Sequence, residues 1–580
     1  MEYSKRNKGI TILALSVTII ILLILSGICI ATLTGDNGLV RQSQNAKEQT
    51  EIANEKELIE QATAKAMGKD RYGNLSQENL QKALDNITKD GNTEVLPDGI
   101  NFVVKFIETD RYYQVDGDGN VTDPIEVIVD QNPGDITVGI NGEELDGSEA
   151  NPYEIWCIED LVQFSKDINY KYNNKIIELC RSLDFTSTLS YTDYKTTEYD
   201  EFLGGDGTTE LMMQLSSNGK GFKPIGSWNG GTFDGKGFEI KNIYENIEGR
   251  AGLFVGLNNT KIQNLTITGE IIGTSYAGGI TSGSNVDSGN TISNCINYVN
   301  VTGKEIVGGI CGWEKNTNIS NCKNYGIITI NSSSISYGGA GGIEGYLYGG
   351  KVENCYNEGE VKGTYICGGI VATGEEIDII NCKNKGKIHS TGNYGNGGIL
   401  GKHRLGTINV INCCNEATIG EESTGYSGGI VGDYVGVNYT TDRTLNIYNC
   451  YNKGDVVSEN YCGGILGYQG LTSLTINLNI ENCYSVGNIL GKNPGGIVGA
   501  LTASDSRTTA TQSIKNSYYL STTASKAIYS GTCTGDEIIE SLLIDYMKSE
   551  SFLNTLNTNI DANSEWKNWK KGYDGYPVLE

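Results

Sequence analysis

The chain has 580 residues, of which 77 are glycine and 7 are proline, and its 44 basic and 70 acidic side chains give a net charge of −26. A surface this acidic repels phosphate backbones, which argues against nucleic acid as a partner. Abundant glycine without a Gly-X-Y period excludes a collagen, and the length leaves room for more than one domain.

The N-terminal segment has the features of a membrane anchor. Residues 1–9 form a basic leader, and residues 10–33 follow as 24 positions without a charged side chain. Such a stretch is long enough to cross a bilayer, and basic residues before it place the N-terminus in the cytoplasm. We therefore expect a transmembrane helix over residues 10–34, with the bulk of the chain outside a bacterial cell.

The junction Lys8-Gly9-Ile10-Thr11-Ile12 resembles the leader junction of type IV prepilins, in which a short basic leader and Gly precede an apolar helix. The resemblance covers about residues 5–70. It implies cleavage between Gly9 and Ile10 by a prepilin peptidase, methylation of Ile10, and partners in a pilus-type assembly machinery. Major pilins carry Glu at the fifth mature position, where this chain has Ala14. A simple signal-anchor helix is the alternative.

Residues 35–130 are predicted to form a long helix with a small α/β head. The pattern indicates a helix over 39–67, a short second helix that begins near Ser76, and strands over 101–108 and 111–115. The acidic segment that begins at Asp116 has Val121 and Val127 at the places where a calcium loop needs Gly and Glu, so a hairpin turn is predicted there. Residues 131–150 read as a linker.

A four-residue motif recurs from residue 240 to residue 517, in the order apolar, any residue, Asn, and a small or apolar residue. A Gly-Gly-Ile motif recurs alongside it every 27 to 35 residues, which indicates a solenoid. Asn tolerates the left-handed backbone of a sharp bend, and stacked Asn amides would bond from rung to rung. The Asn of all ten copies are Asn242, Asn264, Asn294, Asn321, Asn354, Asn381, Asn412, Asn449, Asn482 and Asn516.

We therefore expect a mainly β fold, with a parallel β-solenoid of about ten coils over residues 151–535. At a strand spacing of about 4.8 Å, ten coils would form a rod of about 48 Å. An N-terminal cap is expected from Asn151, and residues 536–580 are expected to close the far end, with a helix over 536–556.

Seven cysteines follow the Asn column. They could form a metal or disulfide ladder, or a column of buried free thiols. The second alternative fits better, because a spacing of about 30 residues is unlike that of a zinc site. Cys414, which adjoins the column, is expected to point outward. The column consists of Cys295, Cys322, Cys355, Cys382, Cys413, Cys450 and Cys483.

The repeats around 308–312, 398–401 and 429–432, each followed by the Asn-Cys element, resemble the GLUG repeat of bacterial surface proteins, which include adhesins and some IgA-protease-like proteins. Segments 222–226 and 231–235 look like the initial coil of such arrays. The resemblance covers roughly residues 150–580 and implies the architecture more than an activity.

The sequence offers little for catalysis. It has two histidines, His389 and His403, and no His-Glu-x-x-His zinc-protease motif. The candidate carboxylates Glu344, Asp433 and Asp455 are isolated along the chain. We expect no cofactor and no metal site.

A tyrosine stripe beside the Cys column is the candidate binding surface. Alternation predicts that its members face outward, where they could stack on sugars or grip a protein, although cross-rung aromatic stacking is the simpler explanation. The stripe consists of Tyr356, Tyr451, Tyr484 and Tyr518.

Together these features predict a non-enzymatic, pilin-like or adhesin-like cell-surface protein that displays a solenoid toward a glycan or host ligand. A polysaccharide-active enzyme of the β-helix type is the alternative, and it would need carboxylates that meet on neighbouring coils. A purely structural spacer is a third reading.

Overall fold

The structure is a computed structural model. It divides into two compact units, at the boundary between Ile128 and Val129, which are described separately. The described residues are 39–68, 75–88, 92–98, 101–107, 109, 111–116, 119–122, 134–139, 142–167, 170–185, 221–226, 228–283, 289–331, 338–392, 394–420, 425–434, 442–470, 475–502, 504, 508–560 and 565–580.

The first unit packs two helices on a small antiparallel sheet. Ile59, Ala62 and Ala66 lie on one face of the long helix because they are three and four residues apart, and all three are buried against the sheet. The hydroxyl of Ser76 caps the second helix by accepting the Asn79 N–H at 3.3 Å. The helices are Leu39–Met67 and Gln77–Asp85, and the strands are Thr93–Asp98, Asn101–Phe106 and Arg111–Val115.

The expected membrane span, residues 10–33, and the Gly9–Ile10 junction lie outside the described residues. Among the helices that the structure does describe, none is both long enough and apolar enough to cross a bilayer. The membrane anchor therefore stays a prediction.

The second unit is a parallel β-solenoid whose strands stack coil on coil in three ladders. The first ladder contains strands that lead into or contain the Gly-Gly pairs: Tyr276–Gly278, Ile306–Gly308, Gly339–Gly341, Ile366–Gly368, Gly395–Gly397, Tyr426–Gly428, Val456–Gly463 and Ile489–Gly495.

The second ladder contains the strands that lead toward the Asn bends, and the longest strands of the solenoid belong to it. They are Tyr153–Ile155, Ile176–Leu179, Ile225–Gly226, Thr232–Asp234, Phe254–Val255, Lys261–Gln263, Thr281–Gly283, Thr291–Ser293, Cys311–Ser320, Glu344–Glu353, Val371–Ile380, Leu400–Ile411, Val431–Tyr434, Arg443–Tyr448, Leu466–Gln469, Thr475–Glu481, Val498–Leu501, Thr509–Leu520 and Ile528–Ser530.

The third ladder contains strands that cross or follow the Asn bends. They are Leu183–Asp184, Glu239–Ile247, Thr266–Gly273, Ile296–Asn297, Asn300–Gly303, Lys323–Asn324, Ile328–Ile330, Tyr356–Asn357, Val361–Gly363, Lys383–Asn384, Ile388–Ser390, Cys414–Asn415, Tyr451–Asn452, Tyr484–Ser485 and Glu537–Leu542.

The motif Asn residues make the bends that the sequence predicts. All ten have φ between 46° and 57°, the left-handed region that Asn tolerates better than most residues. Several of their amides bond between rungs, as where Asn482 donates to Asn449 and Asn449 donates to Asn412, both at 2.8 Å. Ten bends mark about nine turns, one fewer than the ten coils expected.

A second amide ladder runs inside the solenoid, and the sequence analysis missed it. Each member is fully buried, and each except the last donates to the next Asn at 2.7–2.8 Å, as Asn297 does to Asn324. Because buried amides are costly unless bonded, a closed ladder fixes the register of the stack. Its members are Asn297, Asn324, Asn357, Asn384, Asn415 and Asn452.

The seven column cysteines lie in the core, each at most 1% exposed, and all are free thiols. Burial raises the pKa of thiols such as Cys355, because a thiolate loses its hydration there. Cys414, expected to be exposed, is only 7% exposed. It does point away from the core, but the C-terminal segment covers it.

The segment predicted to be a linker, residues 131–150, packs on the solenoid at its described residues. Ile136 and Leu145 belong to the solenoid core, and the Glu154 N–H donates to the Ile136 carbonyl at 3.2 Å. The N-terminal cap follows, with the helix Ile158–Ser165, whose Phe164 packs edge-on against Trp228 at 5.2 Å. The sequence did not predict this packing, because Ile136 and Leu145 lie in a segment with many acidic residues.

The C-terminal segment differs most from expectation. Residues 536–556 are not one helix: the strand Glu537–Leu542 extends the solenoid, and the helices Ile544–Met547 and Glu550–Thr558 follow. With the antiparallel strands Trp569–Lys571 and Pro577–Leu579 they form what we call the side cap, residues 543–580, described at 543–560 and 565–580. The side cap covers the flank of the last coils, where Phe552, Leu556 and Trp569 are buried.

Candidate functional site

The side cap removes most of the predicted tyrosine stripe from the surface. Tyr451, Tyr484 and Tyr518 are at most 5% exposed and pack against Phe552 and Trp569. They do face away from the solenoid core, as alternation predicts, but they bind the side cap instead of an external ligand. Of the four stripe residues only Tyr356, which precedes the covered coils, is half-buried.

A different aromatic surface lies along the edge next to the Gly-Gly-Ile segments. In most coils the third residue after the Ile of the Gly-Gly-Ile motif occupies the same position in its strand. These residues therefore pair from coil to coil, as Trp313 does with Tyr346 and Asp433 does with Tyr468. A neighbouring column in the first ladder contributes Tyr426. We call this surface the aromatic strip; its aromatic members are Tyr276, Trp313, Tyr346, Tyr426, Tyr461 and Tyr468.

The rings of the strip form two groups, one around Trp313 and one around Tyr468, and the rings are in contact within each group. Trp313 lies edge-on to Tyr276 at 5.3 Å and to Tyr346 at 5.7 Å, and Tyr426 stacks on Tyr468 at 4.4 Å. Five of the six rings are half-buried, whereas Tyr346 is 6% exposed. From Trp313 to Tyr468 the strip spans five rungs, or about 24 Å at the usual strand spacing. Half-exposed rings that are already held in place can stack on a ligand at a low entropy cost.

Charged side chains occupy the middle of the strip. The hydroxyl of Tyr346 and the guanidinium of Arg404 both donate to Glu375, and Arg404 Nη1 also donates to the Tyr346 hydroxyl at 3.0 Å. On the next rungs Lys402 Nζ lies 3.7 Å from Asp433 Oδ2. Burial raises the pKa of Asp433 to about 6, although the charge of Lys402 opposes the shift. Each cation therefore has a carboxylate partner.

The carboxylates noted in the sequence do not meet in one exposed cluster. Glu344 is fully buried beside Glu314, and burial and the charge of Glu314 raise its pKa well above the ordinary value. A polysaccharide could not reach this pair. Asp455 bonds to the next coil by accepting the Asn488 N–H at 2.9 Å. Of these carboxylates only Asp433 lies in the strip. A second carboxylate of the strip, Glu375, lies two coils away and was not among the candidates from the sequence.

In the described part of the chain we find neither a metal-binding site nor a catalytic site built around a histidine. It contains no group of three or more His, Cys, Asp and Glu side chains arranged to hold a metal ion. His403 is fully buried, stacks on Tyr434 at 4.6 Å, and has its pKa lowered to about 3 by burial.

A signal for the strip was present in the sequence. Aligning the repeats on Gly-Gly-Ile instead of on Asn-Cys places Trp313, Tyr346, Lys402, Asp433 and Tyr468 in one column, three residues after the Ile. This column contains both aromatic and charged residues, whereas all four residues of the predicted stripe are tyrosines. The stripe is therefore easier to recognise in the sequence.

No protein-family model matches the chain, and a comparison with curated proteins finds no similar one. The structure is similar to the crystal structure of a Bacteroides ovatus protein that is provisionally named an immunoglobulin A1 protease, at 18% identity and a TM-score of 0.34. The match covers 76% of this chain and 95% of that chain. A likeness this distant says nothing about activity.

Proposed function

We propose that this chain is a non-enzymatic bacterial surface protein, anchored through residues 10–33, whose solenoid binds polysaccharide along the aromatic strip. The single observation that supports the binding role is the strip itself, two groups of mostly half-buried aromatic rings that lie along one edge of the solenoid on either side of a charged centre. Aromatic rings present a flat apolar face to a sugar ring and polar edges to its hydroxyl groups.

The charge of the strip favours an uncharged ligand. In the middle of the strip, Lys402 and Arg404 are each paired with a carboxylate, so this part of the strip has no surplus of positive charge for an acidic chain. The net charge of −26 adds a repulsion toward any long polyanion. A neutral glycan chain that lies along the coils is therefore the best-matched ligand class.

The test is a binding screen of the full-length chain against immobilised neutral and acidic polysaccharides. Tyr468→Ala and Trp313→Ala should each weaken binding to the retained glycan roughly tenfold, because each removes one stacking surface. Tyr573→Ala is the matched control, since this ring is fully exposed on the side cap. Equal binding by all three variants, or no retained neutral glycan, would refute the proposal.

A second candidate is the polysaccharide-active enzyme, and one observation favours it. Glu375, Arg404, Lys402 and Asp433 come from three consecutive coils and lie in the middle of the strip. The protein would be an enzyme if it released reducing ends or unsaturated sugars from a bound glycan and if Glu375→Gln abolished this release. The enzymatic role would then replace the binding role. Binding without any product would reject the enzyme.

The anchoring proposal has a separate test, the intact mass of the N-terminal peptide from native membranes. A peptide that begins at methylated Ile10 would support pilin-type processing by a prepilin peptidase. A peptide that retains Met1 would leave a signal-anchored monomer and reject the pilus-type machinery as a partner.

A further inference from the structure

A cleft of about 980 Å³ opens between the flank of the solenoid and the side cap. One wall comes from the third ladder, with Asn412, Glu416 and Tyr451, and the other comes from the hairpin of the side cap, with Tyr573 and Asp574. The volume is near the upper end of that of ordinary small-ligand pockets. This site shares no residue with the aromatic strip.

The cleft is basic although the protein is acidic. Its lining includes six lysines but only three acidic side chains, against a net charge of −26 for the whole chain. The lysines converge from separate parts of the sequence, three from the solenoid and three from the side cap, which is why no basic cluster is apparent in the sequence. They are Lys383, Lys385, Lys453, Lys567, Lys570 and Lys571.

Three of these lysines form ion pairs with two carboxylates of the protein, and the other three do not. Lys383 and Lys385 reach Glu416 at 2.7 and 3.8 Å, and Lys453 reaches Asp574 at 3.0 Å. Within the described residues, the three side-cap lysines have no carboxylate within ion-pair distance; they are Lys567, Lys570 and Lys571. The cleft therefore has positive charge to offer a ligand.

The surroundings of the cleft indicate a sugar. On the rung before Lys383 lies Tyr356, and its neighbour Tyr325 stacks on Tyr298 at 4.8 Å, so a short tyrosine platform leads toward the cleft. Tyr298 is 48% exposed. Aromatic faces suit sugar rings, while the ammonium groups suit carboxylates.

We infer that the cleft binds a short acidic oligosaccharide whose carboxylates contact the side-cap lysines. The ligand is short because the positive charge is local, and a long polyanion would extend over an acidic surface. Lysine ammonium groups act as point charges toward the carboxylates of such a chain, and the tyrosine platform supplies faces on which its sugar rings can stack.

The test is calorimetric titration of the full-length protein with trigalacturonate, a trimer of uronic acid, at low and at high salt. We expect saturable binding that weakens with salt, because exposed ion pairs are screened. The double variant Lys570→Gln/Lys571→Gln should bind roughly tenfold more weakly. The matched control is Lys304→Gln/Lys526→Gln, which removes the same charge from exposed sites outside the cleft.

Three outcomes would overturn the inference. They are the absence of binding at low salt, equal weakening by both double variants, and equal affinity for tetraglutamate, which would make the site a peptide site. Because the strip variants Trp313→Ala and Tyr468→Ala leave the cleft intact, a failure here is distinguishable from a failure of the proposed neutral-glycan site.

Discussion

The indole Nε1–H of Trp569 donates to the side-chain oxygen of Asn449 at 2.7 Å, and both residues are buried. This bond joins the side cap to the Asn ladder of the solenoid. Neighbouring rungs are bound in the same way, since Asn412 donates to the Glu565 carbonyl and Asn482 to the Leu556 carbonyl. The ladder therefore makes the bends of the solenoid and also provides the docking surface of the side cap.

We expect Trp569→Ala to release the side cap. Truncation of a buried Trp costs about 3–5 kcal/mol, and this one also removes the hydrogen bond to Asn449. Amide hydrogen exchange should speed up in residues 565–579, with little change in the Gly-Gly-Ile strands. Tyr573→Ala, on the same hairpin but fully exposed, should change nothing. Unchanged protection of the hairpin in Trp569→Ala would show that this contact does not hold the side cap.

The backbone bend at Asn321 can be tested apart from the amide ladder, because this Asn is exposed and has φ of 55°. Asn321→Ala should lower the free energy of unfolding by about 1–2 kcal/mol, since the left-handed conformation strains a residue with a Cβ atom. Asn321→Gly should stay close to wild type. The measurement is the denaturation midpoint of each variant. Equal midpoints for Asn321→Ala and Asn321→Gly would contradict the claim that the left-handed bend limits stability at this position.

Glu245 should make stability depend on pH. It is fully buried, and burial raises its pKa from 4.5 to about 8, with a weaker opposing effect of the hydrogen bond from the Gly252 N–H. The folded state thus keeps a proton that the unfolded state releases above pH 4.5. The contribution to stability is complete below that pH and is lost as the pH rises through about 8.

Thermal midpoints of wild type and Glu245→Gln, measured from pH 4 to pH 9, test this sign. The wild type should lose stability relative to Glu245→Gln between about pH 4.5 and pH 8. The comparison cancels the titration of other groups that both proteins share. A constant difference across the range would mean that folding does not change the pKa of Glu245.

Thiol labelling should separate the column cysteines from the half-buried ones. Cys180 and Cys533 are partly exposed, whereas Cys355 and the other column thiols lie in the core. Native protein treated with a thiol-specific reagent and digested for mass spectrometry should carry label at Cys180 and Cys533 first. The column should react only after unfolding, because burial excludes the reagent from these thiols. Early labelling of Cys355 would contradict the closed core.

Much of the solenoid was predictable because its repeats mark their own geometry. Asn at a fixed place indicates a left-handed bend, and Ile and Cys three residues apart around it mark the residues that turn inward. The side cap was not predictable, because Phe552 and Trp569 bind the tyrosine column through tertiary contacts that leave no period in the sequence. The same covering explains why Cys414 and three of the four stripe tyrosines are buried.

The candidate sites were harder to predict than the fold. The strip follows a column whose residue type changes from Trp313 to Lys402 to Tyr468, so it has no compositional signature. The basic cleft joins lysines almost 200 positions apart, from Lys383 to Lys571, and only the docking of the side cap brings them together.

The most direct test of the binding role is hydroxyl-radical footprinting of the full-length protein with and without the neutral glycan that it retains. We expect protection of Trp313 and Tyr468 on the strip, while the exposed Tyr298 and Tyr573 react as in the free protein. Protection confined to residues outside the strip, with Trp313 and Tyr468 as reactive as before, would contradict the account.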